Sequence, residues 1–318
     1  MTLHPQAQTF LDAVAEANGP EWYERELSEA RTVFDTLPFY GDPPDVAEVS
    51  DHTVAGVPVR IYKPVDDCQS AGMIVFFHGG GWVLGSIKSH DVLCRRLALQ
   101  SGAAVVSVDY RRPPEDPFPA AIEDCFTVCD VIAMDHPALG IGGPMLVAGD
   151  SAGGNLAAAV CLMARDRGGP QIAGQVLIYP VLDGTMSGQS YSDFASGVGL
   201  TARTMGWFWQ MYTGDETTAV RGNPLASPTR ETDLSGLPPT HLVAAEYDVL
   251  KSEADGFALR LAAAGVELTT KQYDGMLHGF VHFSKPFDDA KLAMGEIAAR
   301  CRELLNAESK RGEVHDQQ

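Results

Sequence analysis

From residue 72 onward, short apolar runs alternate with longer amphipathic stretches. The runs at 73–77 (MIVFF), 103–108 (AAVVSV), 145–148 (MLVA), 175–179 (QVLIY), 241–245 (HLVAA) and 266–272 (VELTTKQ) read as strands. Most are apolar almost without interruption, the pattern of a sheet covered on both faces. Helical patterns at 89–100, 120–134, 152–165 and 252–264 lie between most of them, and 288–305 reads as a terminal helix. Strands alternating with helices predict βαβ units and a mostly parallel central sheet flanked by helices. Two earlier runs, 47–54 and 57–62, are split by Gly56 and predict an antiparallel hairpin on the sheet edge.

Two segments break the alternation. Residues 1–45 are helical and carry Trp22, Tyr23, Phe34, Phe39 and Tyr40. A second segment, about 185–235, interrupts the sheet pattern as a long insertion between strands, a common form of lid or binding element. It holds Tyr191, Phe194 and the aromatic run from Trp207 to Tyr212. The two segments together predict a helical cap on a catalytic domain that spans 46–318. The aromatic run reads first as packing of cap on core and second as a substrate wall. Only the last few residues look disordered.

Composition narrows the function without defining it. The chain has 318 residues, 45% hydrophobic and 20% charged, enough for one large α/β domain with an appendage or for two domains. A formal charge of −19 repels phosphate backbones and anionic membrane surfaces, so nucleic acid is not an expected partner. No apolar run approaches the roughly 20 residues of a membrane span, and no secretory leader pattern opens the chain; a cytoplasmic location is expected. Cys68, Cys94, Cys125, Cys129, Cys161 and Cys301 show no metal-binding spacing and read as buried free thiols. No metal or cofactor is expected.

Chemistry concentrates at two glycine-rich turns. Gly149-Asp150-Ser151-Ala152-Gly153 fits the nucleophile-elbow pattern GxSxG, directly after one strand and directly before one helix. His78-Gly79-Gly80-Gly81-Trp82 follows the strand at 73–77. Consecutive glycines let backbone N–H groups approach a ligand, and this HGGG loop is the type that supplies oxyanion donors. Phosphate-binding glycine spacings are absent. The expected oxyanion hole is the N–H groups of Gly80, Gly81 and Ala152, with His78 organising the loop.

A serine nucleophile needs a base and an acid that orients it. In this fold the order is serine, acid, histidine, and only His241, His278, His282 and His315 follow Ser151. His241 lies in a strand and His315 in the tail. His278 and His282 both remain candidates on residues alone. Asp183 and Asp248 each follow a strand, where α/β sites form, and Asp248 is favoured.

Together these motifs resemble the hormone-sensitive-lipase-like family of α/β-hydrolase esterases. The matching residues are HGGGW at 78–82, VDYR at 108–111, PEDPFPAAIED at 114–124, GDSAGGNLA at 149–157, LIYPVLD at 177–183, EYDVL at 246–250 and GMLHGF at 275–280. The resemblance implies the α/β-hydrolase fold with a helical cap and a triad of Ser151, Asp248 and His278. It also implies hydrolysis of small carboxylic esters with short acyl chains, no cofactor, and a homodimer. Trp82, Trp207, Phe208 and Tyr212 are expected to shape the substrate pocket. Amidase, lactonase and acyltransferase activities would use the same triad, and a non-catalytic binding role is the remote alternative. One departure stands out: where the family often reads DYRLAPE, this chain has Asp109-Tyr110-Arg111-Arg112-Pro113-Pro114-Glu115, an arginine in place of an apolar residue.

Overall fold

The computed structural model describes residues 2–65, 72–135, 139–214 and 217–315; Cys68 and the last three residues lie outside them. Eight strands form one sheet: β1 Glu48–Val54, β2 Val57–Lys63, β3 Met73–Phe77, β4 Ala104–Val108, β5 Met145–Asp150, β6 Gly174–Ile178, β7 Thr240–Tyr247 and β8 Leu268–Leu277. Their order is β1-β2-β4-β3-β5-β6-β7-β8. The six from β4 to β8 are parallel; β1 and β2 form the antiparallel hairpin, and β2 joins the sheet antiparallel to β4. Ala55 and Gly56 both take positive φ in the hairpin turn, which matches its twist to that of the strands.

The helices are α1 Pro5–Ala17, α2 Leu27–Phe34, α3 Asp91–Ser101, α4 Ala120–Asp135, α5 Ala152–Arg167, α6 Gln189–Asp193, α7 Ala202–Thr213, α8 Thr217–Arg221, α9 Lys251–Ala263 and α10 Asp288–His315. Side chains alternate across a strand, so each central strand feeds two cores. Val75, Phe77, Val106 and Val147 pack with α4, α5 and α9 on one face. Ile74, Phe76, Val105 and Leu146 pack with α3 and α10 on the other. This is the α/β-hydrolase fold. The first thirteen residues of α5 are all buried, the mark of a helix enclosed on every side.

Two boundaries differ most from the pattern-based reading. The last strand runs to Leu277, beyond the expected end at 272, because β8 closes the sheet edge and its outer residues Thr269–Gln272 stay exposed. Exposed polar residues on an edge strand hide the apolar signal. The terminal helix likewise continues past 305 to His315.

The helical segments outside the alternation meet each other: the Arg203 guanidinium of α7 lies 4.3 Å from the Tyr23 ring centroid. Thr201 caps α7 by accepting the Thr204 N–H at 3.0 Å. Among the described residues no helix is long and apolar enough to cross a membrane.

Candidate active site

β5 ends at Asp150 and α5 begins at Ala152, so Ser151 sits alone on the corner. Its backbone is at φ 56°, ψ −117°, a left-handed conformation that costs about 1–3 kcal/mol for a residue with a side chain. Neighbours hold it there. The Ser151 N–H donates to the Ile178 carbonyl at 2.8 Å, and the Ser151 carbonyl accepts from Asn155 and Val181 at 3.1 and 3.2 Å. Crowding explains the flanking glycines. A Cβ on Gly149 would lie 2.3 Å from the Gly153 carbonyl, and one on Gly153 would lie 1.9 Å from the Phe77 oxygen. Only hydrogen fits at either place, which lets α5 start against the end of β3.

β7 delivers Asp248 and β8 delivers His278 to the same end of the sheet. His278 Nε2 is 2.9 Å from Ser151 Oγ, and its Nδ1 is 2.7 Å from Asp248 Oδ2. Asp248 is buried, and its other oxygen accepts the Leu250 N–H at 2.9 Å. A carboxylate on Nδ1 keeps the proton there and leaves the Nε2 lone pair facing the serine hydroxyl. The His278 loop is braced at Gly275. Its N–H donates to Glu246 Oε2 at 2.7 Å, and its carbonyl accepts the His4 N–H at 3.1 Å.

The other candidates lie elsewhere. His282 is buried and donates from Nε2 to the Ser89 carbonyl at 2.9 Å. Burial, then the nearby His90, push its pKa down to about 3. His241 bonds Thr269 at 2.8 Å. Asp183 accepts from the Thr185 N–H and hydroxyl at 3.0 and 2.7 Å.

After β3 the chain turns through Gly80, Gly81 and Trp82, at φ 102°, 60° and 62°. Among the described residues no intramolecular acceptor takes the N–H of Gly80, Gly81 or Ala152. His78 is engaged within the loop: Nδ1 is 2.9 Å from the Gly79 carbonyl, and the ring stacks on Tyr110 at 4.2 Å. Burial holds His78 well below the ordinary histidine range and therefore neutral.

In the sequence Asp150 stands out only as part of the GxSxG motif, and the motif does not signal its contacts. Buried Asp150 Oδ1 accepts the Gly79 N–H at 2.8 Å and lies 3.1 Å from His90 Nε2. It thereby joins the residue before the nucleophile to the residue before Gly80. Burial alone would raise its carboxyl, but His90, His282 and the Gly79 N–H hold it at about 2. The only available signal was an acid inside an apolar strand end; His90 gave none. His90, Asp150 and His282 have ligand-type atoms within 4.8 Å of one another, the one such group among the described residues. The Gly79 N–H points between two of them, at 2.8 and 3.3 Å, so a hydrogen-bond donor occupies the space a cation would need.

The aromatic residues form a packed wall. Trp82 is fully buried, parallel to Tyr212 at 4.1 Å and 4.9 Å from Trp209. Phe208 lies on Gly81: a Cβ there would meet its ring at 2.2 Å. Trp207 is partly buried, 5.0 Å from Phe208. Two surface grooves, of about 610 and 450 Å³, are lined by none of these residues.

Residues 74–282 match the model of a family described as having the alpha/beta hydrolase fold. The carboxylic ester hydrolase LipN of Mycobacterium tuberculosis is 37% identical over 83% of this chain and 69% of its own length. Carboxylesterase NlhH of the same species is 34% identical over 94% of both chains. Among solved structures, an ester hydrolase from the metagenome of Lake Arreo, complexed with a derivative of bipyridine phosphonate, is similar. It superposes with a TM-score of 0.90 at 35% identity, over 95% of this chain and 99% of that one. The chain belongs to the hormone-sensitive-lipase-like family of alpha/beta-hydrolase carboxylic ester hydrolases.

Proposed function

We propose that the chain is a serine carboxylesterase that works through an acyl-enzyme. Ser151 is the nucleophile, His278 the general base, and Asp248 the residue that fixes the His278 tautomer. The observation that carries this reading is the unbroken line from Asp248 through His278 to Ser151, at 2.7 and 2.9 Å. Those distances lie within reach for proton transfer.

Ser151 Oγ attacks the ester carbonyl carbon while its proton passes to His278 Nε2. The carbonyl oxygen becomes an anion among the N–H groups of Gly80, Gly81 and Ala152, each worth about 10²–10³ in rate. The tetrahedral centre collapses, the proton moves from Nε2 to the leaving alcohol oxygen, and the acyl group stays on Ser151. Water, giving its proton to Nε2, then attacks the acyl carbon; the bond to Ser151 Oγ breaks, that oxygen takes the proton back from Nε2, and the acid leaves. A phosphonate carries the tetrahedral geometry and anionic oxygen of these intermediates, so the phosphonate complex of the similar Lake Arreo enzyme supports the reading.

Residues 1–45 and about 185–235 act as the cap; the contact of Arg203 with Tyr23 supports their working as one unit. Short to medium acyl chains are the preferred substrates. Phe208 on Gly81 and the buried Trp82–Tyr212 stack fill the space beside the loop and favour them. The five buried free thiols among the described residues suit the reducing cytoplasm, and the family resemblance suggests a homodimer.

The test is hydrolysis of p-nitrophenyl esters from acetate to palmitate by wild type and Ser151→Ala. Activity peaking at short chains and lost in the variant is expected. A variant that keeps activity has a different nucleophile. A wild type inactive on every ester acts on another acyl substrate or only binds one.

A further inference from the structure

The oxyanion loop is gripped from outside by two arginines. Gly80 rests directly on the peptide that follows Leu84: a Cβ on Gly80 would lie 2.8 Å from the Leu84 carbonyl carbon and 2.9 Å from the Gly85 nitrogen. The Gly80 carbonyl accepts from Val83 and Leu84 at 3.2 and 2.8 Å. Gly85 in turn presses on the preceding turn, since a Cβ there would meet the Gly79 oxygen at 2.3 Å and His78 Nδ1 at 2.7 Å. Whatever fixes Val83 to Gly85 therefore fixes the back of Gly79 and Gly80.

Three side-chain bonds do so. Arg31 of α2 donates from Nε to the Val83 carbonyl at 2.9 Å. Arg112 donates to the Gly85 carbonyl. Asp35, at the end of α2, accepts from Ser86 Oγ at 2.6 Å. The arginines share one support. Arg31 binds both oxygens of Glu115 at 2.7 and 2.8 Å and the Pro113 carbonyl at 2.9 Å, on the same short loop that carries Arg112. A planar guanidinium suits this task, because it spends several donors on fixed acceptors at once. The Arg31 bond holds the Glu115 carboxyl at about 2, so that carboxylate stays charged.

We propose that Arg31 and Arg112 are positioning residues for the oxyanion hole. They clamp the loop by its carbonyls, so that the aim of the Gly80 and Gly81 N–H groups depends on helix α2 and on the loop 111–115. The inference rests on the esterase reading above. It gives a role to the arginine that stands where an apolar residue was expected.

Arg112→Leu, Arg112→Lys and Arg31→Leu test it, with ester kinetics, thermal unfolding and the rate of inactivation by a fluorophosphonate. In the leucine variants kcat is expected to fall on the order of tenfold with KM within about twofold, less than losing a donor outright. Inactivation slows in step with kcat/KM, because the phosphonate adduct uses the same donors. Arg112→Lys keeps one donor and recovers most of kcat. A purely structural role would lower the melting temperature and leave kcat and the inactivation rate of the folded protein alone; that result overturns the proposal. Should the leucine variants fail to fold, Glu115→Gln loosens Arg31 without altering a residue that bonds 79–85 directly. Reduced kcat at unchanged KM then supports the clamp, and wild-type kcat overturns it. Ser151→Ala separates the two levels. If it is inactive while the clamp variants keep full kcat, the clamp alone is wrong; if it is active, the assignment of Ser151 as nucleophile fails first.

Discussion

The turn after β5 and the loop after β3 both hold their backbones at positive φ, yet different forces fix them. The elbow is fixed by crowding. Gly149, Gly153 and the Phe77 carbonyl leave no room for one more carbon, so Ser151 is held by its covalent neighbours and the adjacent strand. The loop after β3 is crowded too, at Gly80, Gly81 and Gly85, but it is also held by reach. Its carbonyls are bound by Arg31 and Arg112, which come from 52 and 27 residues away. Packing tolerates no change of volume, whereas a charge-assisted hydrogen bond can be weakened in steps. On the proposed reading, small residues at the elbow govern folding and the arginines around the loop govern the rate.

Gly153→Ala challenges the steric half of that contrast most severely. Its methyl would lie 1.9 Å from the Phe77 oxygen. A loss of about 3 kcal/mol or more is expected in urea unfolding, at the high end for overpacking. A variant of wild-type stability would show that crowding does not set the elbow.

Asp150→Asn acts on the link between the two turns. It leaves Gly79 with a weaker acceptor and His90 without its carboxylate. About 2 kcal/mol of stability should go, together with part of kcat, because a buried donor loses a charged partner. Loss of stability with kcat intact would mean that the loop keeps its aim without Asp150.

Acid sharpens the comparison by smaller steps. His282 titrates near 3 in the fold and near 6.5 when unfolded. Below pH 6.5 the unfolded chain binds a proton that the folded chain refuses, so stability falls toward pH 3 by about 1 kcal/mol per pH unit. His78 and His241 are shifted in the same direction. Asp150 works lower on the scale: held at about 2 against 3.8, its contribution is complete above pH 4 and fades as pH falls through 2. His282→Gln should reduce the slope between pH 6 and 4 without abolishing it. An unchanged slope would assign the effect to other groups.

What the sequence revealed follows the same division between local and distant causes. Buried strands such as β3 and β4 announce themselves by nearly unbroken apolar runs, and the elbow by small residues at fixed offsets. The apolar pattern starts β8 two residues early and ends it five short, because an edge strand with exposed Thr269 to Gln272 carries little apolar signal. His278 and His282 are four residues apart and indistinguishable by type. Their surroundings differ: one faces Ser151 and Asp248, while the other stacks on His90 at 3.9 Å and Tyr40 at 4.2 Å. No local pattern reports that difference, and none reports that Arg112 reaches Gly85.

The most direct measurement of the central claim is labelling of the folded protein with a fluorophosphonate, followed by peptide mapping. One adduct is predicted, on the peptide that contains Ser151, absent in Ser151→Ala and formed far more slowly in His278→Ala. A folded chain that stays unlabelled, or carries its adduct on another residue, would contradict the assignment of Ser151 as an activated nucleophile.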